Sequence, residues 1–82
     1  MDREVDREAR ILKVLQAIRG KDIRPGEDES LFESGLLDSF ALADFVSGLE
    51  KEFAITIPDS DLSARKFDTI RKVSSYVSTK AS

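Results

Sequence analysis

The stretch GLLDSF, residues 35–40, sets a hydroxyl directly behind a carboxylate where a segment marked by glycine and proline gives way to an apolar-periodic run. Two chemistries are open to the Asp38-Ser39 pair. Either side chain can accept hydrogen bonds from the free amides of a helix's first turn, which is capping. Alternatively, the Ser39 hydroxyl is a covalent site. A hydrolase serine needs a base to take its proton and a third group to orient that base. The chain has no histidine and no cysteine, so that triad cannot be built, and disulfides and thiolate metal sites fall with it. A Ser39–Lys51 pair on one helix would be separated by about 18 Å at the α-helical rise. What remains is a cap, the commoner role of such a pair, a pairing of Ser39 with a lysine from another element, or a hydroxyl that the chain does not activate itself, at a helix start whose free amides and dipole suit an esterified phosphate.

Other charged groups offer less. The acidic runs EDES (27–30) and DSD (59–61) lack the EF-hand spacing, with its turn glycine and distal glutamate, and imply only incidental cation binding. Arg65, Lys66, Arg71 and Lys72 read as a solvated helix face, because the chain's pI is about 4.9 and no aromatic residues interleave them. The net charge of -3 is unevenly spread: residues 27–61 hold ten acidic side chains and only Lys51 as a cation, whereas both flanks are net basic. An acidic middle repels nucleic acid and attracts basic protein surfaces, over a range that salt limits to about 10 Å at 0.1 M.

The elements that must position Ser39 follow from periodicity. Val5, Ala9, Ile11, Leu12, Val14, Leu15 and Ile18 recur at three- and four-residue spacings, predicting a helix over roughly 3–19 that Gly20 closes. Residues 20–38 form a long loop. Ile23, Leu31, Phe32, Leu36 and Leu37 are its expected anchors, with a turn of helix near Ser30–Glu33. SFALADFVSGLEKEF then carries Leu42, Phe45, Val46, Leu49 and Phe53 on one helical stripe. Gly48 within it either admits a neighbouring helix or is merely tolerated. AITIP is an extended connector, a short helix follows near 59–65 with Leu62 inward, and Asp68 is placed to cap a last helix bearing Ile70, Val73, Tyr76 and Val77 behind Phe67. The expected fold is all-α: a small four-helix bundle with a long first loop and a short third helix, one domain over 1–82. No apolar run approaches the roughly 20 residues that span a bilayer, and the charged N-terminus has no apolar signal core. A cytoplasmic protein is expected, without nucleic-acid binding or membrane insertion.

The stretch LFESGLLDSFALADFVSGLEKEFAITIP resembles the acyl carrier protein family, which has a Gly-x-Asp-Ser-Leu-like segment, an acidic helix ending in Glu-x-Glu-Phe and an Ile-x-Ile-Pro connector. Here one more residue separates Gly35 from Asp38, and the order of helices and loops matches the family over most of the chain. The resemblance implies an all-α carrier fold and covalent attachment of 4'-phosphopantetheine to Ser39, by a phosphopantetheinyl transferase using coenzyme A. It implies a helper role for Asp38 and a partner face of Phe40, Asp44, Val46 and Glu50. The function implied is that of a monomeric, non-catalytic carrier holding acyl groups as thioesters, as in fatty acid biosynthesis, served by an activating ligase and a downstream acyltransferase or synthase. Departures also stand out: Phe40 for the usual leucine, Ala41 where many members have an acid, Lys51 between Glu50 and Glu52, and Ala54 for a frequent glycine. Leu-Asp-Ser-Phe resembles the segment of D-alanyl carriers and of some stand-alone aminoacyl carriers, and the RKFDTI segment resembles the latter, so an aminoacyl cargo is the alternative. A non-covalent helical adaptor, with Ser39 only capping its helix, is the competing class.

Overall fold

Apolar stripes on three long helices converge in the computed structural model of the chain, which describes residues 3–81. Helix α1 runs Arg3–Arg19, α2 Ser39–Phe53, α3 Ala64–Phe67 and α4 Ile70–Ala81, with a single 3-10 turn at Asp59–Asp61 before α3. The expected all-helical architecture with a short third helix is present. The third helix, however, starts later than its sequence suggested, because Pro58 opens the 3-10 turn and Ser63, in extended conformation, must precede α3.

Ile11 and Leu15 of α1, Phe45 and Leu49 of α2, Phe67 of α3 and Val73 and Val77 of α4 are fully buried together. Val5, assigned to the α1 stripe by spacing, is instead 61% exposed. Gly48 lies where α1 crosses α2: a Cβ on it would stand 2.6 Å from Val14 Cγ1. The missing side chain admits the neighbouring helix, which resolves the two readings of this residue. Arg10 ties the same helices about one turn away, with Nε and Nη2 donating to the side chain and backbone carbonyl of Glu52, each at 2.7 Å, and its guanidinium 4.5 Å from the Phe53 ring centre.

The long loop is anchored as its apolar residues predict. Leu31 and Leu37 are buried, and Ile23, Phe32 and Leu36 pack partly buried against the core. The expected turn near Ser30 forms, with the Ser34 amide bonded to the Ser30 carbonyl at 3.1 Å, but it does not extend into a helix. Asp68 does not cap α4. Thr69 does so, accepting the Lys72 amide on Oγ1 at 3.0 Å, while Asp68 Oδ1 takes the Ser30 hydroxyl at 2.7 Å and its carbonyl takes the Leu31 amide at 2.6 Å. Asp68 thus fastens the loop to the α3–α4 corner. No described helix is long and apolar enough to cross a membrane.

Candidate arm-attachment site

Helix α2 begins at Ser39, so Asp38 is its cap. With φ -144° and ψ -175°, Asp38 is extended, and its Oδ1 accepts the Phe40 amide at 3.0 Å and the Ala41 amide at 2.8 Å. Its carbonyl takes the Leu42 amide at 2.8 Å. This divides the two roles that the dipeptide left open: the carboxylate caps, and the neighbouring hydroxyl does not.

Ser39 is exposed, and its Oγ has no hydrogen-bond partner among the described residues. Its backbone is nevertheless well fixed. Leu37, two residues before it, is buried and donates its amide to the Leu31 carbonyl at 2.9 Å, and Ala41, two residues after, is buried under α2. Gly35, at φ +82°, makes the turn that feeds this segment, and Arg19 Nη2 donates to its carbonyl at 3.3 Å. The result is a free hydroxyl on a rigid platform, facing solvent at the positive end of a helix dipole. The Phe40 and Ala41 amides are already satisfied by Asp38, so the Ser39 amide and the helix field are what remain to favour an anion there.

The remaining partner-face residues divide. Phe40 is 85% exposed and Asp44 is exposed on α2. Val46, expected on that face, is only 7% exposed and belongs to the core. Glu50, expected there too, is half-buried and its Oε2 accepts the Ile57 amide at 2.7 Å, pinning the AITIP connector. The burial of Val46 agrees with its place on the apolar stripe of α2 and overrides the face that the family resemblance gave it, whereas that of Glu50 needed the tertiary packing. Ala54 adopts φ 54° and ψ 48°, the left-handed conformation, and closes α2 by donating to the Glu50 carbonyl. The acidic runs are likewise spoken for: Glu27 and Asp28 both pair with Arg71 at 2.9 Å. Asp61 takes the Tyr76 hydroxyl at 2.6 Å together with Lys66 and Lys80.

A small helical bundle that displays an exposed, unpartnered serine at the head of a long helix has the arrangement needed by a carrier, a protein that is modified and docked upon by other enzymes. Comparison with known proteins agrees. The family described as "Phosphopantetheine attachment site" matches residues 9–77, and the chain belongs to that family. It is similar to the D-alanyl carrier protein of Leuconostoc mesenteroides, at 36% identity over 84% of this chain and 88% of that one. Those of Lactobacillus acidophilus and Streptococcus mutans are each 30% identical, over 84% of this chain and 87% of theirs. The protein is therefore a phosphopantetheine carrier, non-catalytic in itself, and such a carrier is served by a transferase that adds the arm and a ligase that loads it. The residues present fit the group, since the exposed Ser39 hydroxyl breaks no internal bond on being esterified.

Proposed function

We propose that Ser39 carries the 4'-phosphopantetheine arm and that the cargo is an aminoacyl group of the D-alanyl kind. The observation that supports the attachment point is the geometry at the head of α2: an exposed, unpartnered hydroxyl held between buried Leu37 and Ala41, with capping assigned to Asp38. When bound, the arm supplies a flexible thiol that holds the cargo as a thioester; a chain without cysteine offers no competing thiol. Ser39 Oγ forms the new P–O bond as adenosine 3',5'-bisphosphate leaves coenzyme A, and the serine proton passes to a base of the transferase. Asp38 keeps the first turn closed throughout, and exposed Phe40 and Asp44 lie where an enzyme approaching Ser39 must make contact.

The named relatives support an aminoacyl cargo over the fatty-acyl one placed first on the sequence. The exposed Phe40 in the Leu-Asp-Ser-Phe segment is consistent with partners other than those of fatty acid synthesis. We take the molecule to act as a cytoplasmic monomer over 1–82, meeting a D-alanine-activating ligase and then an acceptor acyltransferase.

The test has two stages. Coenzyme A and a broad-specificity phosphopantetheinyl transferase should add one arm by intact mass, and none to Ser39→Ala; an unmodified chain sinks the attachment. The holo protein is then offered ATP, D-alanine or medium-chain fatty acids, and the corresponding adenylate-forming ligases. A D-alanyl mass increment is expected, and exclusive loading with fatty acid would overturn the cargo.

A further inference from the structure

The face bearing Phe40 and Asp44 is one side of what a partner meets at Ser39. The other side is basic. Where α1 ends, it and the chain that follows enclose an open depression of about 760 Å³ whose charged lining is Lys13, Arg19, Lys21 and Arg24, with no carboxylate. Along residues 13–24 the one acid is Asp22. Arg19 suits the negative end of the α1 dipole, but Lys13 stands in mid-helix and Lys21 and Arg24 lie beyond its end, so helix capping does not account for the set.

Two observations separate this patch from the protein's other basic surface. First, none of its four cations forms an ion pair among the described residues. On α3 and α4, by contrast, Lys66 and Lys80 are neutralised by Asp61 and Arg71 by Glu27 and Asp28, which leaves only Arg65 and Lys72 without an ion pair there among the described residues. Second, the patch is held in shape. Arg24 Nη1 donates to the carbonyls of Lys21 at 2.8 Å and Ile23 at 2.9 Å, and Gln16 Nε2 folds the Ile23 carbonyl back onto α1 at 3.0 Å. The Arg19 bond to the Gly35 carbonyl joins the patch to the segment that leads into Ser39. Lys13 also borders a neighbouring groove shared with Asp44, Lys51 and Glu52, which marks where the basic surface meets the acidic one.

We propose that this end of α1 is a docking surface for an acidic protein segment, presented by enzymes that work on Ser39; the identity of those enzymes rests on the carrier reading above. Uncompensated charge in a concave, hydrogen-bonded frame favours carboxylates brought by a shaped protein surface. A bilayer is the poorer occupant, since interfacial binding needs an exposed apolar face, and the large exposed apolar side chains, Val5 and Phe40, lie outside this lining.

The test is an amide chemical-shift titration of the full chain, before arm attachment, with a hexaglutamate peptide. Shifts should concentrate at residues 13 and 19–24, weaken several-fold between about 20 and 200 mM NaCl, and vanish in K13E/K21E. Neither lysine's ammonium makes an internal hydrogen bond or ion pair among the described residues, and the Lys21 carbonyl that Arg24 holds is kept in the variant, so it should fold normally. Equal or larger shifts at Lys66, Lys72 and Lys80, or persistence in K13E/K21E, would overturn the proposal. So would response of the same amides to pyrophosphate but not to hexaglutamate, or a lysine-dependent co-sedimentation with phosphatidylglycerol vesicles. Because the unmodified chain is used, failure here leaves arm attachment, read by intact mass, standing on its own result.

Discussion

At the scale of single residues, the capping assignment separates two neighbours that composition treats alike. Asp38 satisfies two first-turn amides and Ser39 none, so their substitutions should diverge. Asp38→Ala should lower stability by about 1 kcal/mol, whereas Ser39→Ala should stay within about 0.5 kcal/mol of the parent while abolishing arm attachment. Urea titration and intact mass, measured on both variants, check this; a comparable destabilisation by Ser39→Ala would show that the hydroxyl shares the cap. Asp-Ser by itself could not reveal which side chain would turn toward the amides. That choice depends on which residue is extended, and the buried Leu37 and Ala41 on either side set it.

At the scale of elements, two α2 positions run against ordinary helix preferences. Alanine favours a helix interior over glycine by about 1 kcal/mol, yet Gly48→Ala should destabilise by about 1–3 kcal/mol, because its Cβ would meet Val14 at 2.6 Å. Adding Val14→Ala should recover most of that loss, and a double-mutant cycle by denaturant unfolding reads the coupling. Ala54 presents the reverse case. Its left-handed backbone (φ 54°) costs a non-glycine residue about 1–2 kcal/mol, so Ala54→Gly should raise the unfolding free energy by about 1 kcal/mol, after allowing for glycine's greater freedom in the unfolded chain. An unchanged midpoint would mean that the Cβ of Ala54 makes a compensating contact.

At the scale of the molecule, a polar cluster closes the corner between the 3-10 turn, α3 and α4. Tyr76 donates to Asp61, packs against Phe67 with the rings tilted by 58° and their centres 5.2 Å apart, and lies under Lys66 and Lys80. The Tyr76 hydroxyl, followed by Lys66, holds the Asp61 carboxyl below its ordinary value. Burial, followed by the Asp61 carboxylate, pushes the Tyr76 phenol up to about 12 from 10.0. The two linkages have opposite edges. Asp61's contribution is present above about pH 3.8 and is lost as acid carries it through its lowered pKa. Tyr76's is complete below pH 10.0 and is lost as pH rises toward about 12. Tyr76→Phe should cost about 1 kcal/mol at pH 7, and its deficit relative to the parent should shrink between pH 10 and 12. Chemical denaturation across that window decides the matter, a constant deficit being the contrary result.

Much of this protein was set by the order of its residues. Apolar spacing, with Gly20 as the stop of the first stripe and Asp38-Ser39 at the start of the second, located α1 and α2, because a period near 3.6 buries one stripe whatever its partner. The lack of histidine and cysteine restricted the chemistry of Ser39 before any fold was known. Spacing could not tell that Glu50 turns back to hold the Ile57 amide, that Thr69 and not Asp68 caps α4, or that α1 presses on Gly48. Each depends on a neighbour distant in sequence, and local pattern carries no record of which groups compete for the same amide or the same space. Only packing decided that the carboxylate of Asp38 would close the helix and leave the hydroxyl of Ser39 free.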